Sequence, residues 1–199
     1  MTTTRKERAA ETEAALKEAA RRVFSRQGYL NTKITDITAE AGRAAGSFYN
    51  HFASKEELLE ALLTDLFAAA DQEVDADPRH TADFTDRDSV RWHVAAFWQF
   101  YRAHLPELVA LRQAAMVDER FRRRLRDLVT ADRAHLADHL APVRHLPGPP
   151  HLVLSAMSGL LDQFAWTWLV EGDTEHALDD DEAVEFLTEF LHRALTRGG

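Results

Sequence analysis

The residues best suited to chemistry fall into two groups of histidines and aromatics and one polar stretch around a glycine. His135 and His139 stand four apart, a spacing that sets two imidazoles on one face of a helix and lets both reach a metal ion. No glutamate follows His135 as in the zinc-protease pattern, and the sequence offers no evident third ligand, so no metal site and no cofactor is expected. The chain has no cysteine, which excludes disulfides and thiolate chemistry. It also has no nucleophile elbow, no phosphate-cradling glycine loop and no dinucleotide fingerprint, so an enzyme is not expected. Apolar rings with a few polar groups are the usual lining of a small-molecule pocket. Trp92, His93, Phe97, Trp98 and Tyr101 on one predicted helix could supply such a lining, with Met116, Met157, Asp162, Phe164 and Trp168 from others. As a set they suit a flat or apolar ligand whose polar end is held by His or Asp.

The polar stretch is Thr32 to Lys55, which reads as two short helices about a glycine turn and the start of a third. Ile34, Ile37 and Ala41 recur at helical spacing, Gly42 supplies a backbone free to turn sharply, and Phe48 and Phe52 repeat one turn later. Two helices joined so tightly form a helix-turn-helix, whose second helix lies in the DNA major groove. Charge is distributed to match. Residues 1–55 hold ten Lys/Arg against six Asp/Glu, a surplus of four positive charges, so a net charge of −9 leaves −13 on the remainder.

The surrounding elements are helical throughout. Residues 5–27 carry an apolar stripe of Leu16, Ala19, Ala20, Val23 and Phe24, stopped by Gly28. This helix is expected to pack over Ile34, Ile37 and Phe48, since two isolated helical turns are not stable in water. Ser54 with Glu57 forms a capping box that opens a helix reaching about Glu73. Further helices are expected over 89–104, where apolar residues surround the helix and imply a buried position, over 105–116, and over 118–140. The four prolines within 141–150 require a loop. Helices over 151–171 and 180–196 close the chain, and their excess apolar surface fits either an intrachain core or a four-helix bundle shared by two subunits. The apolar run from Leu152 to Val170 is interrupted by Ser155, Ser158, Asp162 and Gln163, so no membrane span is expected. The N-terminus lacks a signal-peptide core, and a cytoplasmic setting is expected.

The stretch resembles the TetR (tetracycline-repressor) family of bacterial transcriptional regulators through Asp36-Ile37, Ala41-Gly42, Gly46-Ser47-Phe48-Tyr49-Asn50-His51-Phe52 and Ser54-Lys55-Glu56-Glu57-Leu58. That resemblance implies an all-α fold of about nine helices. It implies a three-helix DNA-binding domain at 1–55 and a ligand-binding and dimerisation domain at 56–199. It further implies a homodimer through the last two helices, on a near-palindromic double-stranded operator, released by a small effector, most simply as a repressor. Carried over by position, Tyr49, His51 and Lys55 are expected to contact phosphate, while Thr35, Ser47 and Asn50 fall where the family reads bases, beside Ala45 and Gly46. Three residues depart from the pattern. Lys33 replaces a capping threonine, Arg43 an apolar residue after the glycine, and Ala44 a capping serine, so Lys33 and Arg43 become expected DNA contacts peculiar to this chain. The alternatives are an activator without a small ligand, or a helical interaction protein whose helix-turn-helix is structural.

Overall fold

The computed structural model describes residues 4–134, 136–172 and 178–196, the side chains of 75 and 131–134 excepted. The described residues form nine α-helices and no strand. These are α1 (Arg5–Gln27), α2 (Ile34–Glu40), α3 (Ala45–Phe48), α4 (Lys55–Ala76), α5 (Arg87–Ala103), α6 (Leu105–Val117), α7 (Glu119–Ala134), α8 (Pro150–Trp166) and α9 (Asp180–Thr196). The all-α expectation holds. The chain divides into two compact units, one of residues up to 68 together with 106–126, the other of 69–105 together with 127 onward. A division after residue 55 is therefore not the one the packing makes. Leu58, Leu59, Leu62 and Leu63 of α4 and Ala110, Ala114 and Phe121 of α6 and α7 are buried in the same cluster as the helix-turn-helix. An apolar stripe groups with whatever buries it, whatever the linear order.

In the first unit, α1 starts at Thr4, whose hydroxyl accepts from the Glu7 N–H at 3.2 Å. It ends at Gly28, where φ is +75° and the N–H donates to the Phe24 carbonyl at 2.9 Å. Its buried face of Leu16, Ala19, Ala20 and Phe24 packs with Ile37, Phe48 and Phe52, as periodicity predicts. Without that shared core a four-residue helix such as α3 has no independent stability. The α2–α3 turn is made by Gly42 at φ +62°, and the Arg43 N–H reaches back to the Thr38 carbonyl at 2.9 Å. Two of the turn's donors are thereby satisfied, because the Gly42 N–H also donates to Ala39. Helix α6 is tied to this unit by Gln113, whose Oε1 accepts from the Tyr29 N–H at 2.9 Å, and by the buried Glu107, 3.1 Å from Arg21.

In the second unit, α5 lies along α9. Its buried residues are Ser89, Val90, Val94, Trp98 and Tyr101, one face only, so the expectation of a helix buried all round is corrected. Arg91 and Arg102 leave that face for Glu185 and Asp180 of α9, and the Trp98 Nε1 donates to Asp180 Oδ1 at 2.8 Å. The expected single helix over 118–140 is instead α7 plus a separate 3-10 turn at Asp138–Leu140. Helix α8 begins with Pro150 in its first turn, where a missing N–H costs nothing, and gives way to π-type winding over Thr167–Glu171.

Candidate nucleic-acid interface

The turn between α2 and α3 presents most of the expected DNA-facing residues to solvent. Lys33, Thr35, Arg43, Ala45, Gly46 and Asn50 are exposed, and Tyr49 is 61% exposed beside a fully buried Phe48. An aromatic residue so open is unusual for a packing role. A Cβ at Gly46 would meet nothing within 4 Å, so internal packing does not require glycine there.

Helix capping explains how Lys33 is tolerated in place of a capping residue. It makes no side-chain cap, but Asp36 reaches back and accepts from the Lys33 N–H at 2.9 Å and from Gln27 Nε2 at 3.1 Å. The Lys33 N–H is the first cause of the Asp36 carboxyl lying below its ordinary range. One orphan donor at the start of α2 is thus satisfied from inside the helix, which leaves the lysine ammonium exposed. Ala44 likewise makes no side-chain cap at α3.

Three of the expected contacts sit differently. Ser47 is half-buried, and its Oγ is buried with no hydrogen-bond partner, so the hydroxyl faces the protein. His51 has a side chain only 13% exposed, with Nδ1 3.9 Å from Glu13. Lys55 uses two of its three N–H donors on the carbonyls of Tyr29 at 2.7 Å and Thr32 at 2.8 Å, with its ammonium 4.0 Å from the Tyr29 ring centroid. Burial is the first cause of its pKa lying below the ordinary lysine value. Tyr29 in turn donates its hydroxyl to Glu56, and burial and that carboxylate hold the phenol far above its usual range. Lys55 therefore fixes the α1–α2 connection, a role visible only in three dimensions. Gln113 and Glu107, distant in sequence, also support this unit, and no local pattern marks them.

The expected pocket residues do not form one set. Met116 is 83% exposed and belongs to the first unit, at an open groove of about 580 Å³ lined also by Leu111, Arg112, Glu119 and Arg122. The others lie in the second unit. Trp98, Phe164 and Trp168 form a chain of ring contacts that continues to Phe186 and Phe190, and Trp98 is buried core. Phe97 and Tyr101 pair with each other, Met157 is half-buried and Asp162 is exposed. Trp92 and His93 stand apart from these, against His80. Burial, with lesser contributions from His139 and His80, pushes the His93 pKa down to about 4. His135 lies outside the described residues.

The described residues are helical, with an exposed helix-turn-helix on one of two compact units. Residues 16–62 match the family described as bacterial regulatory proteins, tetR family. The transcriptional regulator TtgR of Pseudomonas putida is 44% identical over 66 residues, 33% of this chain and 31% of that protein. The match thus spans about a third of that relative's length. A TetR-family regulator structure from Rhodococcus superposes with TM-score 0.73 at 20% identity, covering 94% of this chain and 100% of that one. The regulator FadR from Bacillus subtilis, in complex with stearoyl-CoA, superposes with TM-score 0.72 at 16% identity over 91% and 98% of the two chains. Residues 16–62 therefore carry a DNA-binding domain of the tetR family, and the chain shares the fold of solved TetR-family regulators.

Proposed function

We propose that the protein is a ligand-responsive transcriptional repressor that binds a near-palindromic operator as a homodimer. The observation that carries this reading is the exposed set Lys33, Thr35, Arg43, Gly46, Tyr49 and Asn50 around α2 and α3, where at Gly46 internal packing does not require glycine. In this reading α3 enters the major groove. Tyr49 and Lys33 hold phosphate, Arg43, Thr35 and Asn50 reach base edges, and the bare Gly46 and Ala45 allow DNA to approach the backbone. Ser47 and His51 act from behind that surface, and Lys55 keeps one N–H for a phosphate while holding the Tyr29–Thr32 connection. A DNA target places the protein in the cytoplasm, consistent with the described helices, none of which is long and apolar enough to cross a membrane.

Dimerisation through α8 and α9 is supported by Leu152, Phe186 and Phe190, which remain 56%, 54% and 51% exposed, an apolar area that a second copy would cover. Two copies related by a two-fold axis present two α3 helices about 34 Å apart, one turn of DNA. The effector is small and largely apolar, taken up among the aromatic side chains of the second unit; FadR, of the same fold, is seen in complex with stearoyl-CoA, whose acyl chain is apolar. Ligand acts by favouring a conformation in which the two readers no longer match successive grooves.

The test is binding of the protein to the DNA upstream of its own gene across a salt series. Phosphate contacts impose a steep negative slope of log affinity on log salt, about −0.9 per contact. A flat slope without sequence preference would sink the proposal. A screen for compounds that release bound operator then identifies the effector.

A further inference from the structure

Three histidines far apart in the sequence meet inside the second unit. His80 follows α4, His93 is on α5 and His139 is in the 3-10 turn after α7, and one ring nitrogen from each lies within 4.8 Å of the others. Their ring centroids are 4.7 to 5.2 Å apart. The Nε2 atoms of His80 and His139 are 3.0 Å from each other.

The surroundings prepare a set of lone pairs. His93 Nδ1 lies 2.8 Å from the Ser89 carbonyl, which can only accept, so Nδ1 carries the proton and Nε2 is left as the acceptor. That Nε2 is buried and has no hydrogen-bond partner. Such a backbone bond on the far nitrogen is the usual support of a metal-ligating histidine, fixing both tautomer and ring. Ser89 is itself buried, with its hydroxyl donating to the Thr81 carbonyl at 2.6 Å. The buried Phe84 packs on His93 and His139, each at 5.0 Å, and its N–H donates to the His139 carbonyl at 3.0 Å. The cluster therefore sits on three elements that are already fastened together.

We infer that His80, His93 and His139 form a binding site for a divalent late first-row transition-metal ion, zinc foremost, with three imidazole nitrogens as ligands and a fourth position left to water. Zinc–nitrogen bonds of 2.0–2.1 Å in a tetrahedron separate the nitrogens by about 3.3 Å. The observed 3.0 Å pair is close to that value, and the widest separation allowed by the cluster closes by about 1.5 Å through rotation of the rings. A hydrogen-bonded core is the rival account. One shared proton satisfies the Nε2 atoms of His80 and His139, but it leaves the His93 Nε2 lone pair buried and unmet, whereas one cation engages all three of these nitrogens. Three nitrogens without sulfur or carboxylate select zinc, nickel, cobalt or copper over magnesium or calcium. The bound ion would clamp the segment before α5 to α5 and to the 3-10 turn.

The experiment uses the full chain without a histidine tag, stripped of metal and titrated with Co2+. Expected are visible d–d bands of tetrahedral strength saturating at one equivalent per chain, their loss on adding Zn2+, and a rise in unfolding temperature with zinc. His80→Gln, at a half-exposed position that tolerates change, should weaken binding at least 100-fold, and His93→Gln should do the same. His145→Gln, at an exposed histidine elsewhere, should leave it unchanged. Absence of the bands, or zinc binding that His80→Gln and His93→Gln do not alter, would overturn the assignment. DNA takes no part in this readout, so its outcome is independent of the operator reading.

Discussion

Arg43 sits in the turn between α2 and α3 with its backbone N–H already used on Thr38 and its side chain exposed. Arg43→Ala is expected to weaken operator binding by about 1–3 kcal/mol and to relax preference at one base pair, if the guanidinium forks onto guanine. Fluorescence anisotropy across single-base operator variants measures both, and equal affinity for every variant in both proteins would refute the contact. Lys33→Ala should behave differently, lowering affinity uniformly and reducing the salt slope by about 0.9, as one lost phosphate contact requires. Gly46→Ala separates fold from function at one atom. The new methyl meets nothing in the protein, and alanine in a helix is favoured over glycine by roughly 0.5–1 kcal/mol, so thermal stability should hold or rise while operator affinity falls.

At the scale of elements, the α5–α9 pair rests on Trp98 and Arg102 converging on Asp180. The Arg102 hydrogen bond first, and the Trp98 indole second, hold the Asp180 carboxyl below its ordinary range. A carboxylate depressed in the folded state contributes stability that is present above its unfolded pKa of about 3.9 and is lost as pH falls through the lower folded value. Unfolding followed from pH 6 downward should therefore show Asp180→Asn converging on the wild type below about pH 4. Asp180→Ala should cost more than Asp180→Asn, by about 1–3 kcal/mol, because it leaves the buried indole N–H without an acceptor, while asparagine still accepts. Urea melts of the two variants at neutral pH decide this. Equal destabilisation would show that the indole bond contributes nothing.

For the whole molecule, operator recognition in the proposed form needs two copies. Phe186→Glu combined with Phe190→Glu puts two charges on the apolar face of α9, at rings that are about half exposed. Light scattering should then report a monomer with an unchanged helical spectrum, and operator affinity should fall by at least 100-fold. A persistent dimer would move the interface elsewhere.

The sequence by itself determined most of the helices, though not the break after α7, and the position of the helix-turn-helix, because these depend on local periodicity, on glycines at 28 and 42 that adopt positive φ, and on caps such as Ser54 with Glu57. It also marked Tyr49, Arg43 and Lys33 as open to a partner. Only the tertiary structure decided what faces inward. Lys55 turns to the Tyr29 and Thr32 carbonyls, Ser47 buries its hydroxyl, and α6 joins the first unit through Gln113, none of which leaves a trace in spacing. The histidines show the limit most clearly. The pair four apart, His135 and His139, is what periodicity offers, whereas His139 meets His80 and His93 across 59 and 46 residues of chain. Helical spacing reports neighbours on one element. Proximity between elements is set by which apolar faces bury one another, and that is a property of the packed chain.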